Sequence, residues 1–130
     1  MDLILLIWVG IGGALGSIAR YLVAYAIEWR QPTGFPYATL LVNTSGSLVL
    51  GFLMNYWIAS NTLSAELRLL LTVGFCGGYT TFSSFGYETV RLLEAGNYRS
   101  ATLNVVFNVG LSLAATFGGF AIARSIRPLT

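Results

Sequence analysis

The residues of this chain best suited to chemistry are neutral hydrogen-bond donors set inside apolar sequence. Thr39, Asn43, Ser47, Gly51 and Asn55 follow one another every four residues, and Asn104, Asn108, Ser112 and Thr116 repeat the design further along. That spacing keeps each set on one gently drifting helix face. Asn amides and Ser/Thr hydroxyls donate hydrogen bonds without carrying charge, so a line of them could replace the water shell of a small anion. For any single residue the plainer reading is interhelical bonding, worth about 0.6 kcal/mol per contact. A third group is Gly74-Phe-Cys-Gly-Gly-Tyr-Thr-Thr-Phe-Ser-Ser-Phe85, with a glycine pair, four Ser/Thr hydroxyls and two phenylalanines three apart. Glycines weaken a helix, and hydroxyl residues compete for its backbone hydrogen bonds. Two whole stripes beside such a break point to a polar track across a membrane. Phe82 and Phe85 could add ring edges, which are electropositive, although ordinary packing is the plainer reading of that pair.

Other chemistries lack their parts. All seven cations are arginine, and histidine, the usual general base and commonest metal ligand, is missing. Cys76 is the only cysteine, so no intramolecular disulfide forms, and a buried thiol without a base is inert. No enzyme is expected. Neither stripe carries a carboxylate. Glu88 is the one acid within the third apolar run short of Glu94 at its end, and Arg91, one turn later, could pair with it. A coupled exchanger needs a titratable group in its path, so passive conduction fits better.

These residues need elements to hold them. The chain has 130 residues, 55% of them hydrophobic and only 9% charged, with a mean hydropathy of +0.72. Soluble domains average about 25% charged residues, so this is an all-α membrane protein. Four runs are long enough to span: 3–27, 37–59, 67–94 with a break near 77–81, and 99–124. Together they form one domain over 1–130. The first run lacks a basic leader and a cleavage site, and reads as a retained span. Pro32, Gly34 and Pro36 mark the first loop. Ser64 reads as an N-cap with Glu66 in its first turn, and Ala95-Gly96-Asn97 reads as a helix stop. No basic cluster suggests a nucleic-acid partner. Gly12, Gly13 and Gly16 suit close helix contact rather than a dinucleotide fingerprint. Arg20 follows Gly16 by four residues, about 26 Å along the helix from Leu3. Snorkelling to the interface is its simplest reading, and a bond to backbone or another helix is the alternative.

Four spans put both termini on one side. Arg68, Arg124 and Arg127 then face Arg30, Arg91 and Arg99, with Arg20 inside the first run. Orientation follows cation asymmetry between loops, and here there is none. Either the protein inserts one way for reasons unrelated to charge, or copies insert both ways and pair antiparallel.

Gly74–Phe85 closely resembles the hallmark of the bacterial fluoride channel family (Fluc, also called CrcB). Gly12-Gly-Ala-Leu-Gly-Ser-Ile-Ala-Arg20 and Thr39-Leu-Leu-Val-Asn-Thr-Ser-Gly46 agree, and the resemblance covers essentially the whole chain. It implies an antiparallel dual-topology homodimer with two pores in the bacterial inner membrane, embedded in lipid. It implies passive fluoride export against accumulation from hydrogen fluoride that enters and dissociates inside the cell. It implies a structural sodium ion (Na+) on the two-fold axis, held by the backbone carbonyls of Gly77 and Thr80. By motif match Asn43, Phe82 and Phe85 line the pore, and Ser112 and Thr116 form its polar track. Asn108 occupies a position that varies in the family. Ala38 replaces a usual glycine and Ser84 a common threonine. The competing functions are a small dual-topology exporter of cationic drugs, which would use Glu88, and a non-conducting structural membrane protein. A topology reporter fused to the C-terminus is expected to signal from both sides of the membrane; signal from one side alone ends the dual-topology reading.

Overall fold

The computed structural model describes residues 2–30, 34–60 and 63–126. Pro32 of the first loop, Asn61 and Thr62 of the second, and Arg127 lie outside the described residues. Those described are helical, joined by short turns, with no strand among them. Helix α1 runs over Leu3–Arg30, α2 over Tyr37–Ser60 and α6 over Tyr98–Ile126. These three are long and apolar enough to cross a membrane.

The third apolar stretch is divided. It comprises α3 (Ala65–Leu69), a π-helical segment (Leu70–Cys76), α4 (Gly77–Tyr79) and α5 (Phe82–Glu94). The Ser64 hydroxyl caps α3 by accepting from the Leu67 N–H at 3.3 Å. After α5, Gly96 takes φ +71°, and the Gly96 and Asn97 N–H groups bond back to the Leu93 and Leu92 carbonyls. Such a left-handed residue is the usual helix stop, and glycine adopts it without a Cβ penalty.

The interruption falls at Thr80 and Thr81, three residues beyond where the glycine pair begins. Gly77 keeps helical angles, φ −63° and ψ −38°, whereas Thr80 (−80°, 158°) and Thr81 (−152°, 116°) are extended. β-branched residues favour extended backbone, and glycine need not leave a helix that packing supports.

What the glycines supply is close approach. A methyl on Gly12 would overlap the Leu70 carbonyl oxygen, and one on Gly16 the Phe75 carbonyl oxygen. A methyl on Gly78 would sit 2.5 Å from the Gly13 carbonyl oxygen, and one on Gly74 2.8 Å from the Gly12 Cα. Helix α1 therefore lies backbone to backbone on the π-helical segment and α4. Helices α2 and α6 make the second close pair, where Gly51 meets the Thr116 backbone and Gly119 meets the Leu48 carbonyl. Gly46 of α2 receives the Thr80 and Tyr79 side chains and so joins the two pairs. Gly110 has open space where a side chain would go. Gly16→Val should lower stability by about 1–3 kcal/mol through overpacking, read as a lower unfolding midpoint in detergent, whereas Gly110→Ala should hold it or raise it by up to about 1 kcal/mol.

Candidate functional site

The break would leave peptide groups unpaired in an apolar setting, where each costs several kcal/mol. Asn43, on α2, meets two of them. Its Oδ1 accepts from the Thr81 N–H at 2.8 Å and its Nδ2 donates to the Thr81 carbonyl at 3.1 Å. The amide stands in for a strand partner, and a flipped amide would set like atoms against like. Asn43 Nδ2 also donates to Asn108 Oδ1 on α6, at 2.9 Å. Both of its hydrogens are thus engaged within the protein.

Each carbonyl around the break has a distinct fate. That of Cys76 accepts from the Thr80 N–H and the Thr80 hydroxyl, both at 3.0 Å. That of Gly77 would ordinarily receive the Thr81 N–H, which Asn43 has taken. That of Gly78 accepts from Arg20 Nε at 3.1 Å. Arg20 therefore bonds to backbone on another helix, the alternative to snorkelling, and places a fixed positive charge beside the break. Among the described residues no hydrogen bond outside the helices ends on the Gly77 or Thr80 carbonyl. Both residues border a groove of about 600 Å³ together with Met54, Trp57, Arg68 and Thr72.

Thr81 also caps α5, its hydroxyl accepting from the Ser84 N–H at 3.1 Å. Phe82 and Phe85 follow at once, ring centroids 5.4 Å apart and edge to face. Phe85 is buried, but Phe82 is 82% exposed in the single chain.

Glu88 lies one turn past Phe85. Its Oε1 accepts from the buried Thr39 hydroxyl at 2.6 Å, while Oε2 is buried without a partner among the described residues. Arg91 does not pair with it. The guanidinium instead donates to the Tyr87 hydroxyl at 3.2 Å and lies over that ring. A vestibule of about 790 Å³ bordered by Phe35, Tyr87 and Arg91 shares Glu28, Ser84 and Glu88 with a polar cleft of about 210 Å³. The cleft reaches Arg20, Thr39 and Thr81.

The structure thus gathers Asn43, Asn108, Phe82, Phe85, Arg20 and Glu88 around the break. Ser112 and Thr116 lie about 6 and 12 Å further along α6. The Thr116 hydroxyl donates to the Ser112 carbonyl at 2.9 Å. The Ser112 hydroxyl is buried with no partner among the described residues, so its proton is free to be donated. Thr81 and Thr89 were not singled out in the sequence as site residues. Thr89 had no signal, since its contacts depend on how α5 meets α6.

The match to known proteins covers the same region. Residues 7–120 fit the model of the family described as "CrcB-like protein, Camphor Resistance (CrcB)". The chain is 44% identical over 118 residues to "Fluoride-specific ion channel FluC" of Geobacter sulfurreducens, covering 91% of this chain and 95% of the relative. It is 47% identical over 116 residues to the protein of that name from Chlorobaculum tepidum, covering 89% and 91%. It is 49% identical over 118 residues to that of Methanopyrus kandleri, covering 91% and 88%. Asn43→Leu should leave the Thr81 N–H and carbonyl both unpaired and cost about 2–6 kcal/mol, about 1–3 for each group, measured as faster hydrogen exchange at the Thr81 amide and a lower unfolding midpoint.

Proposed function

The chain belongs to the CrcB-like family, and from that membership we propose that it is a fluoride-specific ion channel, a multi-pass membrane protein and not an enzyme. One observation carries the reading: an interrupted helix whose Thr81 peptide groups are met by the neutral Asn43 amide, with Phe82 and Phe85 edge to face directly after it. Neutral donors favour an anion without trapping it as a fixed cation would. Fluoride passes Phe82 and Phe85 and is handed to the hydroxyls of α6. Ser112 offers its free proton, and Thr116 must release the Ser112 carbonyl to do the same. Asn43 and Asn108 donate to the ion only by exchanging a bond they already hold. Conduction is passive and exports fluoride from the cytoplasm across the inner membrane.

The working unit is an antiparallel homodimer of four-span subunits. Its support is what one chain leaves open: exposed Phe82 and, separately, the face with the groove at Gly77 and Thr80. A structural sodium ion fits that face. Hard cations take backbone oxygens, and the Gly77 and Thr80 carbonyls lack hydrogen bonds outside the helices among the described residues. One chain offers two such oxygens, and a copy related by a two-fold axis would offer two more. When bound, sodium would neutralise these carbonyl dipoles and add positive potential near the anion path.

Purified protein in liposomes should release fluoride and retain chloride, as read by ion-selective electrodes. Phe82→Ile and Phe85→Ile should each cut fluoride release by about tenfold or more, an increase in barrier of about 1.4 kcal/mol, with the dimer intact by size exclusion. Absence of fluoride release from the unaltered protein would remove the channel reading.

A further inference from the structure

Asn104 is fully buried, at 0% exposure, and its side chain closes a circuit of bonds. Beginning at Thr81, the chain of donors runs from Asn43 Nδ2 to Asn108 Oδ1 at 2.9 Å. Asn108 Nδ2 donates to Asn104 Oδ1 at 2.8 Å and to the Asn104 carbonyl at 3.2 Å. Asn104 Nδ2 donates to Thr89 Oγ1 at 3.0 Å, and the Thr89 hydroxyl donates to the Phe85 carbonyl at 2.7 Å. The circuit leaves the segment at Thr81, crosses α2 and α6, and returns four residues on, at Phe85.

Its direction is set from both ends. The Thr81 peptide groups allow Asn43 one orientation. The Phe85 carbonyl takes the Thr89 proton, so Thr89 presents a lone pair to Asn104. An amide accepts at one end and donates at the other. Asn104 therefore mates with both neighbours in one orientation only, and that orientation presents Asn108 Oδ1, not Nδ2, to Asn43. Without it, Asn108 keeps only the longer bond to the backbone carbonyl, and nothing dictates which end faces Asn43.

We infer that Asn104 is a positioning residue of the conduction pathway, which orients the Asn108 and Asn43 amides and ties the helix break to the Phe85 turn. The inference rests on the channel reading for its functional half and on bond geometry for its structural half. It is tested with Asn104→Leu, and with Thr89→Val, which removes the same link by an isosteric change and guards against a folding failure of the first. Thr89→Ser keeps the hydroxyl and serves as the conservative control. Two quantities are read on the dimer: fluoride release from liposomes, and hydrogen exchange at the Thr81 backbone amide, which is remote in sequence from residue 104.

Asn104→Leu and Thr89→Val should each slow fluoride release by about threefold to tenfold, the range that interhelical bonds in membranes convert to. Together they should slow it no more than either alone. Thr81 exchange should quicken in both, and Thr89→Ser should behave as the parent in both measurements. Unchanged Thr81 exchange in both variants overturns the circuit, whatever happens to release. Faster exchange with undiminished release overturns the role in conduction. If the parent itself passes no fluoride, the channel reading fails while Thr81 exchange still decides the circuit.

Discussion

A helix cannot stop halfway through an apolar layer unless something takes up its freed peptide groups, and here one amide side chain does so. Asn43 accepts from and donates to Thr81, and other features follow from that exchange. Because Asn43 takes the Thr81 N–H, the Gly77 carbonyl loses its ordinary partner. Because its donors are used on Thr81 and Asn108, α2 is tied to both the break and α6. Arg20 draws α1 into the same knot through the Gly78 carbonyl. The polar interior is a connected network, and in an apolar surrounding a half-satisfied network would be worse than none.

Much of this was legible, because four-residue spacing in a helix has a geometric meaning. The stripes on α2 and α6 do face one another, and Asn43 meets Asn108. The caps at Ser64 and at Gly96 could be read because they depend on neighbours in sequence. The exact place of the break could not. The break near 77–81 rested on glycines and hydroxyl residues together; α1 packs on the Gly78 turn closely enough to hold it helical, and within that range the chain opens at the threonines. The partners of Arg20 and Glu88 could not be named for a related reason. Their partners, Gly78 and Thr39, lie 58 and 49 residues away and are chosen by how helices pack. Arg91 has Glu88 and Tyr87 three and four residues back on its own helix, and it bonds Tyr87 while Glu88 takes Thr39.

The two closely packed pairs divide the work of the fold. Helix α1 with the π-helical segment forms a backbone-to-backbone seam of glycines, rigid because nothing flexible lies between. Helices α2 and α6 carry the neutral amides and hydroxyls. The break lies where the pairs meet, at Gly46, Thr80 and Tyr79. The Tyr79 hydroxyl is 3.1 Å from Ser45 Oγ, which itself donates to the Leu41 carbonyl. That leaves Tyr79 as the donor, and it fixes the last turn before the break from the α2 side.

The π-helical segment Leu70–Cys76 carries a consequence for heredity of the fold. A π turn holds about one residue more than an α turn, and one residue in an α-helix is worth about 100° of rotation. The segment therefore acts as a phase shifter between α3 and α4. It turns Gly78 toward α1 while Gly77 looks out into the open groove. Removing one residue there would make a more regular helix and a worse protein: everything downstream would be swung out of phase with its partners. A change of length in this segment therefore reaches every contact downstream of it, whereas a substitution acts only where it stands.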